Sequence, residues 1–458
     1  MIRVLSHSPL ARPLPAVTLS AIGLTGTAFI GLCATAPKTS AVTPPVLLPL
    51  TALAQRLGAP HLPIVLGDTL MDVFLSFCGV GTAMMLWANS HGWSPSPRAM
   101  LAVVTGIVAV LVNITPTGSA DVASYAAYGR IASLGLNPYT VTPVGLPGGL
   151  HNPYTAIVSP RWQNTASVYG PVATAMHLAA AMIGGDRPWL TIWILMIATG
   201  TAFILTGYIL LRTAANPVRA LLVWAANPLI IVELVQGGHL DAFVALLALV
   251  AVVLSRRRPG LWTDPLIGVL LGVVAAVKLN AGLVGLGIAV PLLHDRAWTR
   301  LARTAASAAV TLVGLYLFTW GPSTLKPLGP ASRLVMSPSA WRLVQIIVQH
   351  EFGNRALQSV TGVFSYAWPV LTLAVAWYLY NRLSPDVPAV VAGTCALTFA
   401  WVIVAPWSLP WYASPAWVTL ALLPRNSLTR WLALTTGVLA LFHFNGLFPG
   451  NAGSGPPP

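Results

Sequence analysis

The sequence predicts an all-α polytopic membrane protein with about thirteen transmembrane helices, joined by outer loops that carry short helices. Hydrophobic residues make up 56% of the 458 residues and charged residues only 7%, whereas soluble domains carry roughly a quarter charged residues. Apolar runs of about 20 residues, the length that crosses a bilayer, also recur along the chain. The clearest runs are 16–36, 63–89, 99–115, 188–212, 220–236, 239–255, 303–320, 362–380, 388–405 and 431–448.

The charged and cysteine residues narrow the class of protein further. The 24 Lys and Arg give a formal net charge of +14, but they lie between the apolar runs, where they set topology and contact lipid phosphate. We therefore expect membrane lipid as a partner, and no nucleic acid. The cysteines, Cys33, Cys78 and Cys395, lie in apolar stretches without a CxxC spacing, so we interpret them as core residues and expect no metal site.

The positive-inside rule assigns the segments whose length is ambiguous. Arginines flank the run 265–293 on both sides, which predicts a hairpin of two short limbs that breaks near Lys278-Leu279-Asn280. Segment 171–184 is predicted as a short helix at the outer surface, because a crossing there would move Arg212 and Arg219 outside. Segment 413–423 is short, but the arginines that follow it indicate that it crosses.

These assignments place the N-terminus inside and the C-terminus outside. Residues 1–98 form an N-terminal pair of spans, of which the first is an uncleaved span and not a signal peptide. Residues 99–450 form the main transmembrane domain, with ordered outer loops at 116–187 and 321–361. The tail 451–458 is rich in Gly and Pro and is predicted to be disordered.

Asp121 is the acidic residue that most strongly suggests chemistry, because it directly follows a predicted span. Asp121, Ser124, Tyr125 and Tyr128 are spaced three, four and seven residues apart, so they share one face of a short helix. The alternative is that Asp121 only stabilises the positive end of that helix. After it, Gly-Leu-Asn-Pro-Tyr at 135–139 predicts a turn from which Tyr139 projects.

The segment Gln-Gly-Gly-His-Leu-Asp at 236–241 is a second candidate site. An imidazole and a carboxylate two residues apart, beside two glycines, can bind a phosphate or orient a hydroxyl group. The alternative is structural: Asp241 caps the hairpin while His239 and Glu233 satisfy each other.

Lys278 is a single cation inside an apolar run, so it must meet water, a carboxylate or an anionic substrate. A structural salt bridge with Asp72 or Glu233 is the alternative interpretation. The outer loop 321–361 supplies further cations suited to a phosphate, although headgroup contacts also explain them: Lys326, Arg333, Arg342, His350 and Arg355. Trp320, Trp407 and Trp411 are interpreted as part of the membrane-interface belt.

The absence of several known catalytic motifs argues against the reactions that depend on them. The sequence contains no Walker loop, no HExxH, no GxSxG and no DxD, so a nucleotide-bound donor is disfavoured. A transporter or flippase would explain the spans, but it would not explain a long ordered outer loop headed by an acid and tyrosines.

Five motifs together resemble those of the actinobacterial GT-C polyprenol-phosphomannose-dependent α-1,6-mannosyltransferases, over roughly residues 95–420. They are Asp-x-x-Ser-Tyr-x-x-Tyr-Gly-Arg (121–130), Gly-x-Asn-Pro-Tyr (135–139), Ser-Val-Tyr-Gly-Pro (167–171), Trp-x-x-Asn-Pro (224–228) and Gly-Gly-His-x-Asp (237–241).

The resemblance implies a GT-C-like fold in the plasma membrane, with an extracytoplasmic active site and Asp121 as the catalytic aspartate. It implies a polyprenyl phosphate mannose donor and a mannan or glycolipid acceptor, with inversion at the anomeric carbon and neither cofactor nor divalent metal. An arabinosyltransferase of the same superfamily is the alternative. The substrate-binding residues that we predict are Tyr125, Tyr128, Arg130, Asn137, Tyr139, His239, Asp241, Lys278, Arg333 and Arg342. With an ordinary pKa of ~4, Asp121 would be ionised.

Overall fold

A computed structural model describes residues 13–34, 46–117, 119–257, 259–332, 334–336 and 339–445. Within these ranges the chain forms helices and turns, without a β-strand. The helices of the first half are α1 (Pro13–Leu32), α2 (Pro49–Arg56), α3 (Ile64–Ser90), α4 (Pro97–Leu111), α5 (Asp121–Ser133), α6 (Pro153–Ala156), α7 (Pro171–Gly184), α8 (Pro188–Thr213), α9 (Pro217–Val223) and α10 (Pro228–Ile230).

A π-helical turn, Ile231–Gln236, continues α10. The helices of the second half are α11 (Asp241–Ser255), α12 (Thr263–Val277), α13 (Leu283–His294), α14 (Trp298–Phe318), α15 (Leu328–Ala331), α16 (Ala340–Tyr380), α17 (Ala389–Val404), α18 (Ser414–Ala421) and α19 (Leu428–Asn445). Short 3₁₀ turns at Leu279–Gly282, Gly321–Leu325 and Pro410–Ala413 join some of them.

Length and apolar composition identify fewer spans than the sequence predicts. In the described part of the chain, 5 helices can cross a membrane, or up to 6 if the pair 217–223 and 228–236, bent by 45°, is one span. These helices are α1, α3, α8, α14 and the part of α16 at Gly362–Tyr380. The protein is therefore an all-helical, polytopic membrane protein.

The segment 413–423 is shorter than the span predicted there. Helix α18 has 8 residues, which at 1.5 Å per residue is about 12 Å and much less than a bilayer core. All of its residues are buried, so it is an internal helix that other helices surround.

The predicted outer loop 321–361 is also partly helical. Its second half belongs to α16, a 41-residue element interrupted at Gly353, where φ is 77°. Outer loops carrying short helices were predicted, but this helix is long and continues into the apolar run 362–380.

The bundle has two ends, which we call upper and lower. At the upper end Asp121 begins α5, Lys278 follows α12, and the hydroxyl of Ser414 at the start of α18 donates to the backbone oxygen of Asp241. At the lower end Arg425 donates to the backbone oxygens of Asn89 and Ser90. The same end holds Arg219, which donates to the backbone oxygen of Leu423 at 2.7 Å.

The predicted break near Lys278 is present. Helix α12 ends at Val277, Lys278 is extended with φ −154° and ψ 121°, and a 3₁₀ turn leads into α13. Gly268 of α12 packs on Thr304 of α14, and Gly272 packs on Thr311, so α12 and α14 are parallel. Because α12 and α14 run in the same direction, the chain must return through α13 between them, as a hairpin requires.

The segment 171–184, the N-terminal pair of helices and the tail can also be compared with their predictions. Helix α7 occupies 171–184 as predicted and packs on α5 and α8. Helices α1 and α3 are antiparallel, since Gly23 packs on Cys78 and Gly26 on Phe74. Helix α3 also packs on α9, α10 and α19, so the N-terminal pair is in contact with the rest of the bundle. The tail 451–458 lies outside the described residues.

Candidate active site

Asp121 stands at the first position of α5, at the upper end of the bundle. The N-cap position belongs to Ala120, and the backbone N–H of Asp121 donates to the hydroxyl of Ser119 at 3.0 Å. The predicted short helix is therefore confirmed. The side chain of Asp121 keeps 22% of its surface exposed, so the carboxylate is accessible from the upper end.

Two phenols and one imidazole surround the Asp121 carboxylate. The hydroxyl groups of Tyr125 and Tyr169 each donate to Oδ2 of Asp121 at 3.4 Å. The Nδ1 atom of His239 lies 3.7 Å from the same oxygen. Tyr125 is the residue four positions along the helix, as the sequence predicted, whereas Tyr169 comes from the segment before α7. The carboxylate is thus oriented by side chains from three separate segments.

This environment changes the pKa of Asp121. Burial raises the pKa of the carboxyl from its usual value to about 6, which Lys278 opposes and Asp241 reinforces through their charges. Hydrogen bonds from Ser119 and Tyr169 also lower it. The expected pKa of ~4 was therefore too low, because the sequence could not show the desolvation. Asp121 is still mostly ionised at pH 7 and is matched to accepting a proton there.

The Gly-Gly-His-x-Asp segment connects the π-helical turn to α11. Gly238 has φ +67°, and a Cβ atom there would meet Met196 Sδ at 2.7 Å and Val122 Cβ at 3.3 Å, so another residue would be strained and would displace these neighbours. This turn buries the ring of His239 completely and stacks it on Trp411, with centroids 3.6 Å apart. The side chain of Glu233 makes no hydrogen bond to the described residues. The alternative prediction that Glu233 and His239 would satisfy each other's hydrogen bonds was therefore wrong.

Lys278 forms an ion pair with Asp241. Its Nζ atom donates to Oδ1 and Oδ2 of Asp241 at 3.1 and 3.0 Å, and it lies 3.5 Å from the ring centroid of Tyr412. The structural alternative of a salt bridge is correct in kind, but its partner is neither Asp72 nor Glu233. The extended backbone at Lys278, between α12 and the 3₁₀ turn, directs the ammonium toward the start of α11.

Other predicted binding residues have structural partners away from Asp121. Tyr128 donates to the backbone oxygen of Thr165 at 3.0 Å. Arg130 forms an ion pair with Asp186 and lies nine residues, about 13 Å of helix, beyond Asp121. The structure therefore places these two residues in the framework around the carboxylate and not on it.

The predicted turn at 135–139 forms, but Tyr139 does not project from it. Asn137 Oδ1 accepts from the backbone N–H of Tyr139 at 2.9 Å, and its Nδ2 donates to Ser323 at 2.8 Å. Tyr139 is buried, and its hydroxyl lies 2.7 Å from that of Thr174. The turn therefore ties the first outer segment to the 3₁₀ turn at Gly321–Leu325.

Of the two cations in the loop 321–361 that were predicted to bind substrate, the structure describes one. Arg342 lies in the first turn of α16, where its guanidinium donates to Gln345 at 3.3 Å. Trp341 donates to the backbone oxygen of Val404, which places this end of α16 at the upper end of the bundle. Arg333 lies outside the described residues.

Sequence reasoning missed several side chains of the site. Trp411 is buried against His239, so its assignment to the membrane interface was wrong. His177 stacks on Tyr125, with centroids 4.9 Å apart. Arg161 lies over the rings of Trp162 and Trp407, at 5.1 and 5.8 Å.

Only weak signals in the sequence could have identified these residues. Tyr169 belongs to the Ser-Val-Tyr-Gly-Pro motif, and the stretch Pro-Trp-Ser-Leu-Pro-Trp-Tyr at 406–412 is unusually aromatic. Arg161 is a cation next to a tryptophan. In the described part of the chain, no three His, Cys, Asp or Glu side chains are grouped so that they could hold a metal ion.

Comparison with known proteins agrees with the motifs. Residues 20–295 match the family described as alpha-(1->6)-mannopyranosyltransferase, N-terminal domain. This range includes Asp121, the Gly-Gly-His-x-Asp segment and Lys278. No solved structure matches the chain.

Curated relatives carry the same description. Alpha-(1->6)-mannopyranosyltransferase A of Corynebacterium glutamicum is 26% identical over 335 residues, which are 67% of this chain and 67% of the relative. The protein of that name from Mycobacterium tuberculosis is 24% identical over 82% of this chain and 76% of the relative. A probable alpha-(1->6)-mannopyranosyltransferase of Mycolicibacterium smegmatis is 27% identical over 68% of this chain and 63% of the relative.

The match spans more than half of the chain, and the curated relatives agree on one sugar, which favours mannose over the arabinose alternative. The resemblance seen in the motifs is thereby confirmed. The chain belongs to the alpha-(1->6)-mannopyranosyltransferase family, and it is a mannosyltransferase.

Proposed function

We propose that this protein transfers mannose from a polyprenyl phosphate donor to a mannoside or glycolipid acceptor at the outer face of the plasma membrane, with inversion. The observation that carries the proposal is the position of Asp121. Its partly exposed carboxylate lies at one end of a membrane bundle, between the hydroxyls of Tyr125 and Tyr169, with a pKa of about 6.

The reaction needs one base and no general acid. The acceptor hydroxyl oxygen attacks the anomeric carbon from the face opposite the phosphate, and Asp121 takes the hydroxyl proton. The bond between that carbon and the phosphate oxygen breaks, and the polyprenyl phosphate leaves with the electron pair. Because a phosphate monoester is a stable leaving group, a second carboxyl group is unnecessary, in contrast to glycoside hydrolysis. A β-linked donor gives an α-linked product.

In this proposal Lys278, paired with Asp241, acts on the catalytic carboxylate of Asp121 and does not bind the donor phosphate. The charge of Lys278 is already neutralised by a bidentate contact with Asp241, so it is less available to a phosphate than an unpaired cation is. Lys278 instead lowers the pKa of Asp121 and keeps the base ionised near neutral pH. His239 has no hydrogen-bond partner on either ring nitrogen among the described residues, but its ring is buried and its Nδ1 lies 3.7 Å from Oδ2 of Asp121, so we propose that it positions the Asp121 carboxylate.

We assign the contact with the donor phosphate to Arg161. Arg161 is an exposed residue whose guanidinium lies over two tryptophan rings, and guanidinium groups bind phosphate through paired hydrogen bonds. His443 packs edge-on against Trp411, with ring centroids 5.0 Å apart, and the charge of Arg161 acts on it. Trp407 forms a hydrogen bond with Tyr412, which packs edge-on against Trp411, so aromatic side chains connect Arg161 to the His239 side of the site.

The proposal includes about thirteen crossings, with the upper end outside. Supporting it, α1 and α3 are antiparallel, α12 and α14 are parallel with α13 returning between them, and the buried α18 leads from Ser414 at the upper end toward the contacts of Arg219. The lower end gathers many of the arginines, as a cytoplasmic face would. These are Arg98, Arg212, Arg219, Arg256, Arg257, Arg296, Arg300, Arg303, Arg382, Arg425 and Arg430.

The test is to incubate the purified protein with polyprenyl phosphomannose and a short α-1,6-mannoside, and to determine the linkage of the product. We expect one added α-1,6-linked mannose, with polyprenyl phosphoarabinose and nucleotide-bound mannose inactive as donors. Transfer should also persist in EDTA, because we propose that no divalent metal takes part. Transfer from a nucleotide-bound donor alone would refute the proposal, and loss of activity in EDTA would refute its metal-free chemistry.

A further inference from the structure

A groove at the lower end of the bundle has no part in the chemistry described above. It lies between α3 and α19, has a volume of about 720 Å³, and is lined along most of its length by apolar side chains such as Val80, Leu434 and Val438. Leu75 and Asn89 mark its two ends on α3. The 14 residue steps between them correspond to about 21 Å, compared with about 15 Å for half of a bilayer core.

Arginines cluster at one end of this groove. Arg219, Arg425 and Arg430 belong to its lining, which contains no carboxylate among the described residues. Arg219 is 4% exposed and donates to the backbone oxygens of Leu420 and Leu423 and to the hydroxyl of Thr429. These hydrogen bonds satisfy part of the guanidinium, but within the part of the chain that the structure describes its charge has no anionic partner, and a buried charge in that state is costly.

Arg425 and Arg430 are exposed at the mouth of the groove. Arg425 donates to the backbone oxygens of Asn89 and Ser90, so its charge is held beside the end of α3. An anion placed at this mouth would contact Arg425 and Arg430 directly. It would also be attracted by the charge of Arg219, which is buried deeper in the protein. Apolar surface continues from the same point along the helices.

We propose that this groove binds an acidic phospholipid, with its phosphate at Arg425 and Arg430 and one acyl chain along Val80, Leu434 and Val438. The arginines are complementary to the headgroup, and the length of the apolar stretch is sufficient for a chain that crosses one leaflet. The site lies at the opposite end of the bundle from Asp121, so the proposal depends on the membrane character of the protein but not on its donor.

Trp87 lines the groove and provides a local probe. The full-length protein in neutral detergent is titrated with phosphatidylglycerol brominated on its acyl chains, and in parallel with brominated phosphatidylcholine. The Trp87 signal is the quenching lost in a Trp87→Phe variant. We expect the acidic lipid to quench Trp87 at a concentration at least tenfold lower than the zwitterionic lipid does.

Matched charge variants separate the groove from general attraction to the basic end. Arg425→Gln/Arg430→Gln should remove the preference for phosphatidylglycerol, whereas Arg256→Gln/Arg257→Gln, at the same end but outside the groove, should keep it. Arg430→Gln alone, should the double variant not fold, is expected to weaken the preference at least threefold. Equal quenching by both lipids, or an unchanged preference in the groove variants, would overturn the proposal. Displacement of the lipid by millimolar inorganic phosphate would overturn it as well, since the site would then recognise a free anion.

Discussion

The Nζ atom of Lys278 lies 3.0 Å from Oδ2 of Asp241, and both charges of this buried pair act on Asp121 in opposite directions. The ammonium lowers the pKa of Asp121, and the Asp241 carboxylate raises it, by the smaller amount. We therefore expect the pair to influence the protonation of the proposed base through its charges, which gives a test that separates positioning from structural roles.

The parent enzyme should lose activity as the pH falls through about 6, because Asp121 then becomes protonated. In Lys278→Met the acidic limb of the kcat/KM profile should move to higher pH, since the larger of the two opposing charges is removed. In Asp241→Asn the limb should move to lower pH. Identical limbs in the parent and both variants, measured on folded protein, would show that the pair does not act on the catalytic base.

Tyr169 should contribute to the reaction through its hydroxyl. That group donates to Asp121 at 3.4 Å and lowers the pKa of the carboxyl. We expect Tyr169→Phe to reduce kcat by about tenfold or less, as for a long hydrogen bond to a charged group, and to move the acidic limb to higher pH. Tyr128→Phe is the control, because that hydroxyl donates to the backbone of Thr165. Equal pH profiles for the two variants would contradict this role.

Gly238 should be essential for the position of His239. Gly238→Ala introduces both a φ of +67° for alanine and a Cβ atom 2.7 Å from Met196 Sδ. Gly135→Ala is a matched control, because Gly135 has φ +74° but no atom within 4 Å of the added Cβ. The control should lose about 1–2 kcal/mol of stability from strain alone, whereas Gly238→Ala should melt lower and lose most transfer. Similar melting temperatures and activities would refute the packing argument.

The orientation of the bundle can be tested with single cysteines. The native Cys33, Cys78 and Cys395 are buried, so they give little background. Leu279→Cys, at a site with 47% exposure at the upper end, should react with an impermeant thiol reagent in intact cells. Ser427→Cys at the lower end should react only after the membrane is opened. The reverse pattern would place Asp121 on the cytoplasmic side.

Much of this arrangement could be predicted from local sequence patterns. The period of Asp121 and Tyr125 identified α5, and arginines on both sides of one apolar run identified the break at Lys278. The ion pair of Lys278 could not be found in this way, because Asp241 is 37 residues distant and only packing brings α11 and α12 together. In the sequence Trp411 cannot be distinguished from a tryptophan at the membrane interface. Its burial depends on the enclosure of α18 by other helices, which the sequence does not show.

The central claim is that Asp121 is the general base, and the most direct measurement is the transfer rate of purified Asp121→Asn, with donor affinity and melting temperature determined on the same sample. Asn keeps the size of the side chain and stabilises a helix start about as well as Asp. Removing a positioned base typically costs 10²- to 10⁴-fold in rate. We therefore expect unchanged folding and donor binding, with transfer reduced by at least about a hundredfold. Transfer within about tenfold of the parent would contradict the mechanism, since an aspartate that acts only on the helix end would leave the Asn variant active.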